Sequence, residues 1–474
     1  MRKGILKSFL SSGLQAISVQ VLGVLFIAIV AKFLSKEAFG IVQAANAMAM
    51  FITTLLSFGL EQVVVRRIAA SSTSDWAAAA FLFHNLVGSV IALGLTVLAA
   101  QILPDPESIM YYLPLFFAAQ AVMFLVTPLK QFLNAKHIFT PYGVIAIFSN
   151  TLKIVLALVL YSRNGLSIMA AGYILLGCAF LEIFTLLIYI RTKTSFRFTF
   201  RLSAYRKLIR ESMPQYLSAV FDSSLSRLDI ILLGFIGASF AATADYGIAY
   251  RAYEMARLPI VIIAPVILNI FARAMASGGK ISIEVQAEVK TLYTIEIFFA
   301  MLIPLVLNIL WSPVLNIVFD NKYGSSNAPE FLILSVCIPL HFFINLMWTI
   351  CFSARKYKKT ATITMFSALI NLVLNIVLIK YWGGLGAAIA YLLTTLFQAA
   401  AYYLVVNRHM MHIPLDVLFR FLAAAALSYI GVQWLNLNTV LEIVIAVTLY
   451  FAINLATGWI NRAHFKNIRT YLQK

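Results

Sequence analysis

The sequence predicts an all-α polytopic membrane protein with about 14 transmembrane helices, and three observations support this fold class. First, 62% of the 474 residues are hydrophobic and only 11% are charged, a composition unlike that of a soluble protein. Second, apolar windows long enough to cross a bilayer recur along the whole chain. Third, lysine and arginine concentrate in alternate gaps between these windows, as in multi-pass proteins.

Fourteen apolar windows predict the membrane-crossing segments. Each is close to the length of about 20 residues that a helix needs to cross the hydrocarbon core. The predicted spans are Ser12–Leu34, Gly40–Leu60, Trp76–Ala100, Met110–Leu129, Tyr142–Leu160, Ile168–Ile190, Met213–Ile236, Gly247–Phe271, Thr291–Val318, Pro329–Phe352, Ala361–Ile379, Leu385–Val405, Val417–Trp434 and Val440–Ile460.

The distribution of cations predicts the orientation of these spans. Of the 36 lysines and arginines, 26 lie in the N-terminal tail and in every second gap after it. The other gaps hold only Lys36, Arg163, Lys322 and Lys380. Cationic loops are retained on the cytoplasmic side of a membrane, so both termini are predicted to be cytoplasmic.

The net charge of +18 does not indicate a nucleic-acid partner. The cations are spread over short loops beside the membrane, where they act as retention signals and contact anionic lipid. The partner that this charge predicts is the lipid bilayer.

The loops are too short for a catalytic domain. The longest, residues 191–212, has 22 residues, of which seven are cations, and a nucleotide-binding or sugar-transferase domain needs many more residues. The phosphate-binding motif G-x-x-x-x-G-K-[ST] does not occur, and Cys178, Cys337 and Cys351 show no metal-ligand spacing. The sequence predicts no enzymatic activity, no cofactor and no metal site.

An internal repeat divides the chain. The tripeptide Phe-Gly-Ile at 39–41 and Arg66 are matched by Tyr-Gly-Ile at 246–248 and Arg273, at a constant offset of 207 residues. Parallel repeats of this kind are typical of transporters, with substrate sites at the repeat interface. The predicted divisions are an N-lobe at 1–190, a basic cytoplasmic linker at 191–212, a C-lobe at 213–405, and two further helices with a cytoplasmic tail at 406–474.

Motifs in both lobes resemble those of a known family. In the N-lobe they are the segment Ala31–Gly40 (AKFLSKEAFG), Phe58-Gly-Leu60 and the run RRIAA at 66–70. In the C-lobe they are Pro214, Arg227-Leu-Asp229, Gly234 and Tyr246-Gly-Ile-Ala-Tyr250. These segments resemble the Wzx-type flippases of bacterial O-antigen, capsule and exopolysaccharide, within the multidrug/oligosaccharidyl-lipid/polysaccharide exporter superfamily. The likeness extends over nearly the whole chain, and relatives in the superfamily share its motifs.

The resemblance implies a fold and a function. It implies two six-helix bundles around a central cavity, with two further C-terminal helices, in the bacterial inner membrane. The implied activity is translocation of a polyprenyl (undecaprenyl) diphosphate-linked oligosaccharide by alternating access, for surface polysaccharide biosynthesis. A polysaccharide polymerase and other assembly proteins are further implied partners. Dehydrating such a headgroup is costly, so a polar, cation-lined cavity is expected.

Cations inside the predicted spans are candidates for that cavity. Lys153, Arg227 and Arg257 lie near mid-span, where a charge costs about 2.5–3.5 kcal/mol and normally marks a pathway or a buried partner. Arginine can bind phosphate oxygens through two parallel hydrogen bonds. Arg251 and Arg257 are therefore predicted to contact the diphosphate, with Arg227 and Lys153 as further substrate-binding candidates.

Arg251, Glu254 and Arg257 recur at i, i+3 and i+6 and form a ladder on one side of a helix. One interpretation is a self-neutralising triad that joins helices. The repeat sets this triad against uncharged N-lobe residues, which favours a site specific to the C-lobe. Those N-lobe residues are Ala44, Ala47 and Met50.

In the same register, Asp222 and Arg227 fall opposite Gln15 and Gln20. The two glutamines are candidates for binding sugar hydroxyls, although amides also join helices within membranes.

Intramembrane carboxylates are candidates for ion coupling. Asp222, Asp229, Glu182 and Glu254 are candidates for a proton or cation relay, with ordinary interhelical pairing as the alternative. His84 and His341 have no carboxylate or cysteine at metal spacing, so packing or interhelical hydrogen bonding is expected for both.

Two other classes of function, another transporter and an enzyme, are alternatives to this flippase. A cation-coupled small-molecule antiporter or a peptidoglycan-precursor flippase could use the same fold, but arginine at mid-span disfavours cationic cargo. A polymerase or ligase acting on the same lipid would need a substantial periplasmic loop, which the sequence lacks.

Overall fold

The computed structural model describes most of the chain. The described residues are 2–70, 75–105, 107–194, 196, 198–237, 239–260, 264, 267–268, 271, 283–435 and 437–460. The side chains of 2–16 and 283–285 are not among them.

The described residues form 14 helices and no strand. The helices are α1 (Arg2–Phe33), α2 (Lys36–Ser57), α3 (Leu60–Ala70), α4 (Trp76–Ile102), α5 (Ile109–Ala135), α6 (Thr140–Ser162), α7 (Ile168–Lys193), α8 (Leu202–Ile236), α9 (Phe240–Ala256), α10 (Ile283–Val318), α11 (Ala328–Ser353), α12 (Tyr357–His409), α13 (Asp416–Gln433) and α14 (Thr439–Ala456).

Ten of these helices are long and apolar enough to cross a membrane. The prediction of an all-α polytopic membrane protein is therefore confirmed. The predicted layout of two bundles related by a repeat remains a prediction.

The predicted spans Ala361–Ile379 and Leu385–Val405 lie in one helical segment, α12. Its backbone leaves helical geometry at Gly383, where φ is 52° and ψ is −127°. Glycine reaches this region without a steric penalty because it has no Cβ. The two spans therefore meet at a kink, with no loop between them.

Helix α3 does not correspond to any predicted span. It follows α2 after a break at Phe58 and Gly59, whose φ angles are 47° and 65°. Its sequence, LEQVVVRRIAA, is too short and too charged to cross a bilayer. The break thus lies at the end of the predicted span Gly40–Leu60, and the gap that follows this span forms a short amphipathic helix.

Two further helices begin at other residues than the sequence predicts. Helix α8 begins at Leu202, inside the segment predicted as a linker. Helix α9 begins at Phe240 and ends at Ala256, so it starts earlier than the predicted span Gly247–Phe271.

Contacts divide the chain into two compact units, Met1–Gly247 and Ile248–Lys474. The predicted N-lobe ends at residue 190, whereas the first compact unit ends at Gly247. The lobe boundaries predicted from the repeat remain a prediction. In the first unit, α5 packs against α2, α3, α4 and α7, and α8 packs against α2 and α3. In the second unit, α11 packs against α10 and α12, and α10 also contacts α13 and α14.

The first unit has a core where α3 meets its neighbours. Leu60, Phe81, Phe132, Leu186 and Leu208 come from five different helices and are each 0% exposed. Because α3 contributes one face to this core, a helix with little overall hydrophobicity is still fixed by packing.

The surface of α4 is apolar, as expected for a helix that faces lipid. Val90, Ile91, Leu95 and Leu98 are more than half exposed, whereas the small residues of Ala77–Ala80 are buried. Small residues allow close helix packing where no hydrophobic driving force acts between helices.

Close packing also joins α2 to the first turns of α9. A Cβ at Gly40 would overlap the carbonyl oxygen of Phe240, and a Cβ at Gly247 would lie 2.8 Å from Nε2 of Gln43. Both glycines belong to the tripeptides of the sequence repeat. Only residues without a side chain allow this approach.

Candidate functional site

Two residues with different predicted roles form one ion pair in the first unit. Nζ of Lys153 on α6 lies 3.8 Å from Oε1 of Glu182 on α7, and Glu182 is only 2% exposed. Lys153 also donates a hydrogen bond of 3.3 Å to Oδ1 of Asn150. The predicted substrate-binding lysine and the predicted coupling carboxylate therefore neutralise each other.

The charged residues of α8 lie in three different environments. Asp229 is buried and accepts a hydrogen bond of 2.7 Å from the hydroxyl of Tyr246. Asp222, two turns earlier, is exposed, and Arg227 is partly buried. Within the described part of the chain, neither Asp222 nor Arg227 forms an ion pair.

The two predicted glutamines lie on α1. Gln20 is exposed. The side chain of Gln15 lies outside the described residues, so its predicted role stays a prediction.

In the second unit, Arg251 pairs with Glu254 one turn further along α9. Nη1 of Arg251 lies 2.8 Å from Oε2 of Glu254. This contact agrees with the first half of the self-neutralising alternative. Arg257, the third residue of the predicted ladder, is not part of this pair and contacts other residues.

Arg257 lies just after α9 and contacts two tyrosines. Its Nη1 donates a hydrogen bond of 2.7 Å to the hydroxyl of Tyr253 and lies 3.4 Å from the hydroxyl of Tyr391. Its guanidinium carbon is 5.0 Å from the centre of the Tyr253 ring, within the range of a cation–π contact.

His341 on α11 completes this group, which we call the arginine–tyrosine cluster (Arg257, Tyr253, Tyr391 and His341). The Tyr253 hydroxyl is 3.0 Å from Nδ1 of His341 and 3.0 Å from the Tyr391 hydroxyl. The rings of His341 and Tyr391 stack with 5.9 Å between centroids. The predicted interhelical hydrogen bonding of His341 is confirmed.

The other predicted histidine behaves in the same way in the first unit. The ring nitrogens of His84 lie 2.7 Å from the Tyr205 hydroxyl and 2.7 Å from the carbonyl oxygen of Leu56. His84 thus joins α4 to α2 and α8.

The arginine–tyrosine cluster leaves a positive charge uncompensated. Among the described residues, no carboxylate lies within ion-pair distance of Arg257, and its Nε is buried without a hydrogen-bond partner. Neutral phenols orient the guanidinium but do not cancel its charge. The group can therefore attract an anion and donate charge-assisted hydrogen bonds to it.

The first unit contains a cavity of about 460 Å³ between α2, α3, α5 and α8, which we call the hydroxyl cavity. Five hydroxyl side chains contribute to its wall: Thr53, Thr54, Ser57, Thr127 and Ser223.

The rest of the polar lining of the hydroxyl cavity consists of amides and one acid. The amides are Gln62, Gln120 and Gln215, and the acid is Glu61. Among the described residues that line the cavity, Glu61 is the only charged one.

A second site that the sequence analysis did not identify is a carboxylate in the second unit. Glu296 on α10 is 8% exposed, and its Oε1 has no hydrogen-bond partner among the described atoms. The signal was available, because an ionisable residue inside a predicted span is a functional candidate by default.

The hydroxyl cavity had no comparable signal in the sequence. Serine, threonine and glutamine are common in membrane helices, and their alignment depends on how four helices pack. Only the tertiary structure brings these side chains together.

Comparison with protein families gives one match. The model of the family described as "Polysaccharide biosynthesis protein" matches residues 5–275. No protein of curated function matches the sequence of this chain.

Solved structures of three transporters have a similar fold. The first is the lipid II flippase MurJ in an inward closed conformation, with a TM-score of 0.75, 14% identity, and coverage of 94% of this chain and 98% of that one. The second is a multidrug resistance MATE family transporter of the MOP superfamily in an inward-facing conformation, with a TM-score of 0.68, 16% identity, and coverage of 82% and 94%. The third is the Vibrio cholerae MATE transporter VcmN in the bent form, with a TM-score of 0.55, 16% identity, and coverage of 86% and 98%.

Proposed function

Because this chain belongs to the polysaccharide biosynthesis protein family, we propose that it is a flippase for a polyprenyl (undecaprenyl) diphosphate-linked oligosaccharide. It would move this lipid across the bacterial inner membrane by alternating access, with both termini in the cytoplasm. It would supply surface polysaccharide assembly, in which a polymerase consumes the translocated unit. The role is transport and not catalysis.

The observation that supports this proposal most directly is the environment of Arg257. Its guanidinium is held by two tyrosine hydroxyls, and no carboxylate of the described residues neutralises it. An arginine in this setting favours an anionic ligand such as a diphosphate and disfavours a cationic drug. Arg251 supports the same site more weakly, because Glu254 already pairs with it.

The structure supports the other two predicted substrate-binding cations, Arg227 and Lys153, to different degrees. Arg227 is free of ion pairs within the described residues and remains a second candidate for the diphosphate. Lys153 is the weakest candidate, because Glu182 already compensates its charge.

For ion coupling, we favour Asp222 among the four predicted acids. It is exposed and makes no ion pair with a described residue, so no described cation already neutralises it. Glu182 and Glu254 each pair with a cation, and Asp229 binds Tyr246. An Asp222→Asn variant should transport at a rate that no longer responds to an imposed pH or sodium gradient.

The decisive experiment measures translocation of a fluorescent undecaprenyl diphosphate oligosaccharide in proteoliposomes. Arg257→Gln should lower the rate about tenfold or more, because a hydrogen bond to a charged group contributes about 1.5–3 kcal/mol. Arg257→Lys should retain part of the rate, since it keeps the charge and loses the planar fork. Arg420→Gln is the matched control, because Arg420 is 48% exposed and pairs with Asp416.

Three outcomes would count against the proposal. Wild-type rates in a correctly folded Arg257→Gln variant would remove the diphosphate site. Translocation of lipid II in preference to every other diphosphate-linked oligosaccharide tested would indicate a peptidoglycan-precursor flippase. Efflux of a small cation without lipid translocation would indicate an antiporter.

A further inference from the structure

The hydroxyl cavity has the size and the wall of a ligand site. Its volume of about 460 Å³ is within the range of about 300–1,000 Å³ that is usual for ligand pockets. Its wall combines hydroxyls and amides with the apolar side chains of Met123 and Phe124. A sugar ring has the same combination, since polar hydroxyls surround an apolar C–H face.

The hydroxyls of this cavity already donate hydrogen bonds within the protein. Thr53 donates to the carbonyl oxygen of Met50 at 2.8 Å, and Ser57 donates to that of Thr54 at 2.8 Å. Ser223 donates to the hydroxyl of Thr54 at 3.2 Å. A hydroxyl oxygen whose proton is used in this way can still accept a hydrogen bond. The hydroxyl wall therefore suits a ligand that donates several hydrogen bonds.

The amides add donors and acceptors to the same wall. Nε2 of Gln120 donates to Oδ1 of Asn46 at 2.9 Å, which leaves its carbonyl oxygen to accept. The side chains of Gln62 and Gln215 make no hydrogen bond with another described residue, so both ends of each side-chain amide are available. A ligand with many groups that both donate and accept, such as a carbohydrate, fits this set.

The charge of the wall argues against phosphate. Glu61 is its only charged group among the described lining residues, and no lysine or arginine lines it there. The wall therefore offers a diphosphate no cationic partner, whereas its carboxylate can pair with an amino group. The cavity thus differs in chemistry from the arginine–tyrosine cluster of the second unit.

The wall is also held in place where α2 ends. Gly59 has a φ of 65°, and a Cβ on it would lie 2.5 Å from the backbone nitrogen of Tyr216. The rings of Phe58 and Tyr216 stack with 4.9 Å between centroids. The break between α2 and α3 is therefore fixed against α8, and the polar groups are positioned before any ligand binds.

We propose that the hydroxyl cavity is a glycan-binding subsite, which takes the neutral or amino-sugar part of the substrate and does not bind its phosphates. This inference rests on the proposed flippase function for its biological meaning. Binding of free sugars can nevertheless be measured without transport.

The test uses the purified full-length protein in nanodiscs and isothermal titration calorimetry. The probes are a free N-acetylglucosamine tetramer, a free glucosamine tetramer, maltotetraose and inorganic diphosphate. At least one sugar should bind the wild type. The double variant Gln62→Ala with Gln215→Ala should bind that sugar with an affinity about tenfold lower or more, because it loses hydrogen bonds. Its affinity for diphosphate should be unchanged.

Two further variants sharpen the test. Ser223→Ala removes a hydroxyl of the cavity, whereas Ser218→Ala, on the same helix, removes one that bonds to the carbonyl oxygen of Pro214 and does not line the cavity. Only the first should weaken sugar binding. Glu61→Gln should abolish any preference for the glucosamine tetramer over its N-acetylated form.

The failures of the two proposals are distinguishable. If no sugar binds the wild type, or if cavity and control variants bind sugar equally, the subsite is wrong, and normal lipid translocation by the same protein would leave the flippase proposal standing. If sugar binding depends on the cavity but no diphosphate oligosaccharide is translocated, the subsite stands and the flippase proposal is wrong.

Discussion

Lys153 on α6 and Glu182 on α7 form a buried ion pair, with 3.8 Å between Nζ and Oε1. Ion pairs of this kind satisfy two charges that neither helix could bury alone. Removing one partner leaves an uncompensated charge, which costs about 3–5 kcal/mol in buried sites. The pair therefore predicts an effect on stability that can be measured without a transport assay.

We expect Lys153→Met to lower thermal stability strongly and Lys153→Met with Glu182→Leu to restore most of it, because the double variant replaces the pair by apolar groups. Arg420→Met is the control, since exposed pairs contribute about 0–1 kcal/mol. Thermal unfolding in detergent would measure each change. A single Lys153→Met variant as stable as the wild type would contradict the expectation.

The contact between α2 and α9 predicts that replacing Gly40 by alanine affects folding far more than replacing Gly177. Gly40→Ala should reduce folding yield, because the new Cβ overlaps the carbonyl oxygen of Phe240. Gly177→Ala should be tolerated or stabilise by about 1 kcal/mol, since nothing lies within 4 Å of that Cβ and alanine favours helix over glycine. Yield of monodisperse protein on size-exclusion chromatography compares the two. Equal yields would show that α2 and α9 separate easily.

Within the arginine–tyrosine cluster, the two phenols should contribute unequally. Tyr253→Phe removes the 2.7 Å hydrogen bond to Arg257 and the 3.0 Å contact to His341. Tyr391→Phe removes the longer 3.4 Å contact to Arg257, and either change removes the 3.0 Å contact between the two hydroxyls. An unsatisfied buried donor costs about 1–3 kcal/mol, so Tyr253→Phe should lower the unfolding temperature more. The exposed Tyr173, 63% accessible, provides the control Tyr173→Phe. The reverse order of the two cluster variants would be incompatible with these contacts.

Glu61 predicts a pH dependence outside the membrane-crossing helices. Its side chain faces the open space of the hydroxyl cavity, but desolvation by the surrounding protein raises its pKa above the ordinary 4.5, against the opposing effects of Lys130 and Gln131. The folded state then binds the proton more tightly than the unfolded state, so stability falls as pH rises from 4.5 toward the folded pKa.

Glu61→Gln should flatten this decline and should raise stability above that window, as followed by thermal unfolding across a pH series. Gln131→Ala removes a hydrogen bond of 3.4 Å to the carboxylate and should extend the decline to higher pH. A Glu61→Gln variant that parallels the wild type at every pH would refute the assignment.

Replacing Glu296 should affect stability in the opposite direction to replacing Glu182. No cation of the described residues pairs with it, and burying an unpaired charge is unfavourable. Glu296→Gln should therefore leave stability unchanged or higher at neutral pH, whereas Glu182→Gln should lower it. Paired melting curves of the two variants decide this, and a marked loss in Glu296→Gln would indicate a hidden partner.

Local features of the chain were predictable because they depend on short stretches of sequence. A helix needs about 20 apolar residues to cross hydrocarbon, so hydropathy alone predicted spans that overlap each of the ten helices that are long and apolar enough to cross a membrane. The pair of Arg251 and Glu254 follows from the spacing of residues on one helix. The same reasoning missed the kink at Gly383, since a flexible residue between two apolar runs is compatible with a loop or with a bend.

The sequence by itself determined the class of this protein, the position of the helices that are long and apolar enough to cross a membrane, and the charged residues that these helices carry. The tertiary structure decided which of these groups meet. It paired Lys153 with Glu182, surrounded Arg257 with tyrosines, and aligned the side chains of four helices around the hydroxyl cavity. In lipid, apolar helices gain little by choosing one neighbour over another, so small residues and individual polar contacts determine their packing, and these have no periodic pattern in the sequence.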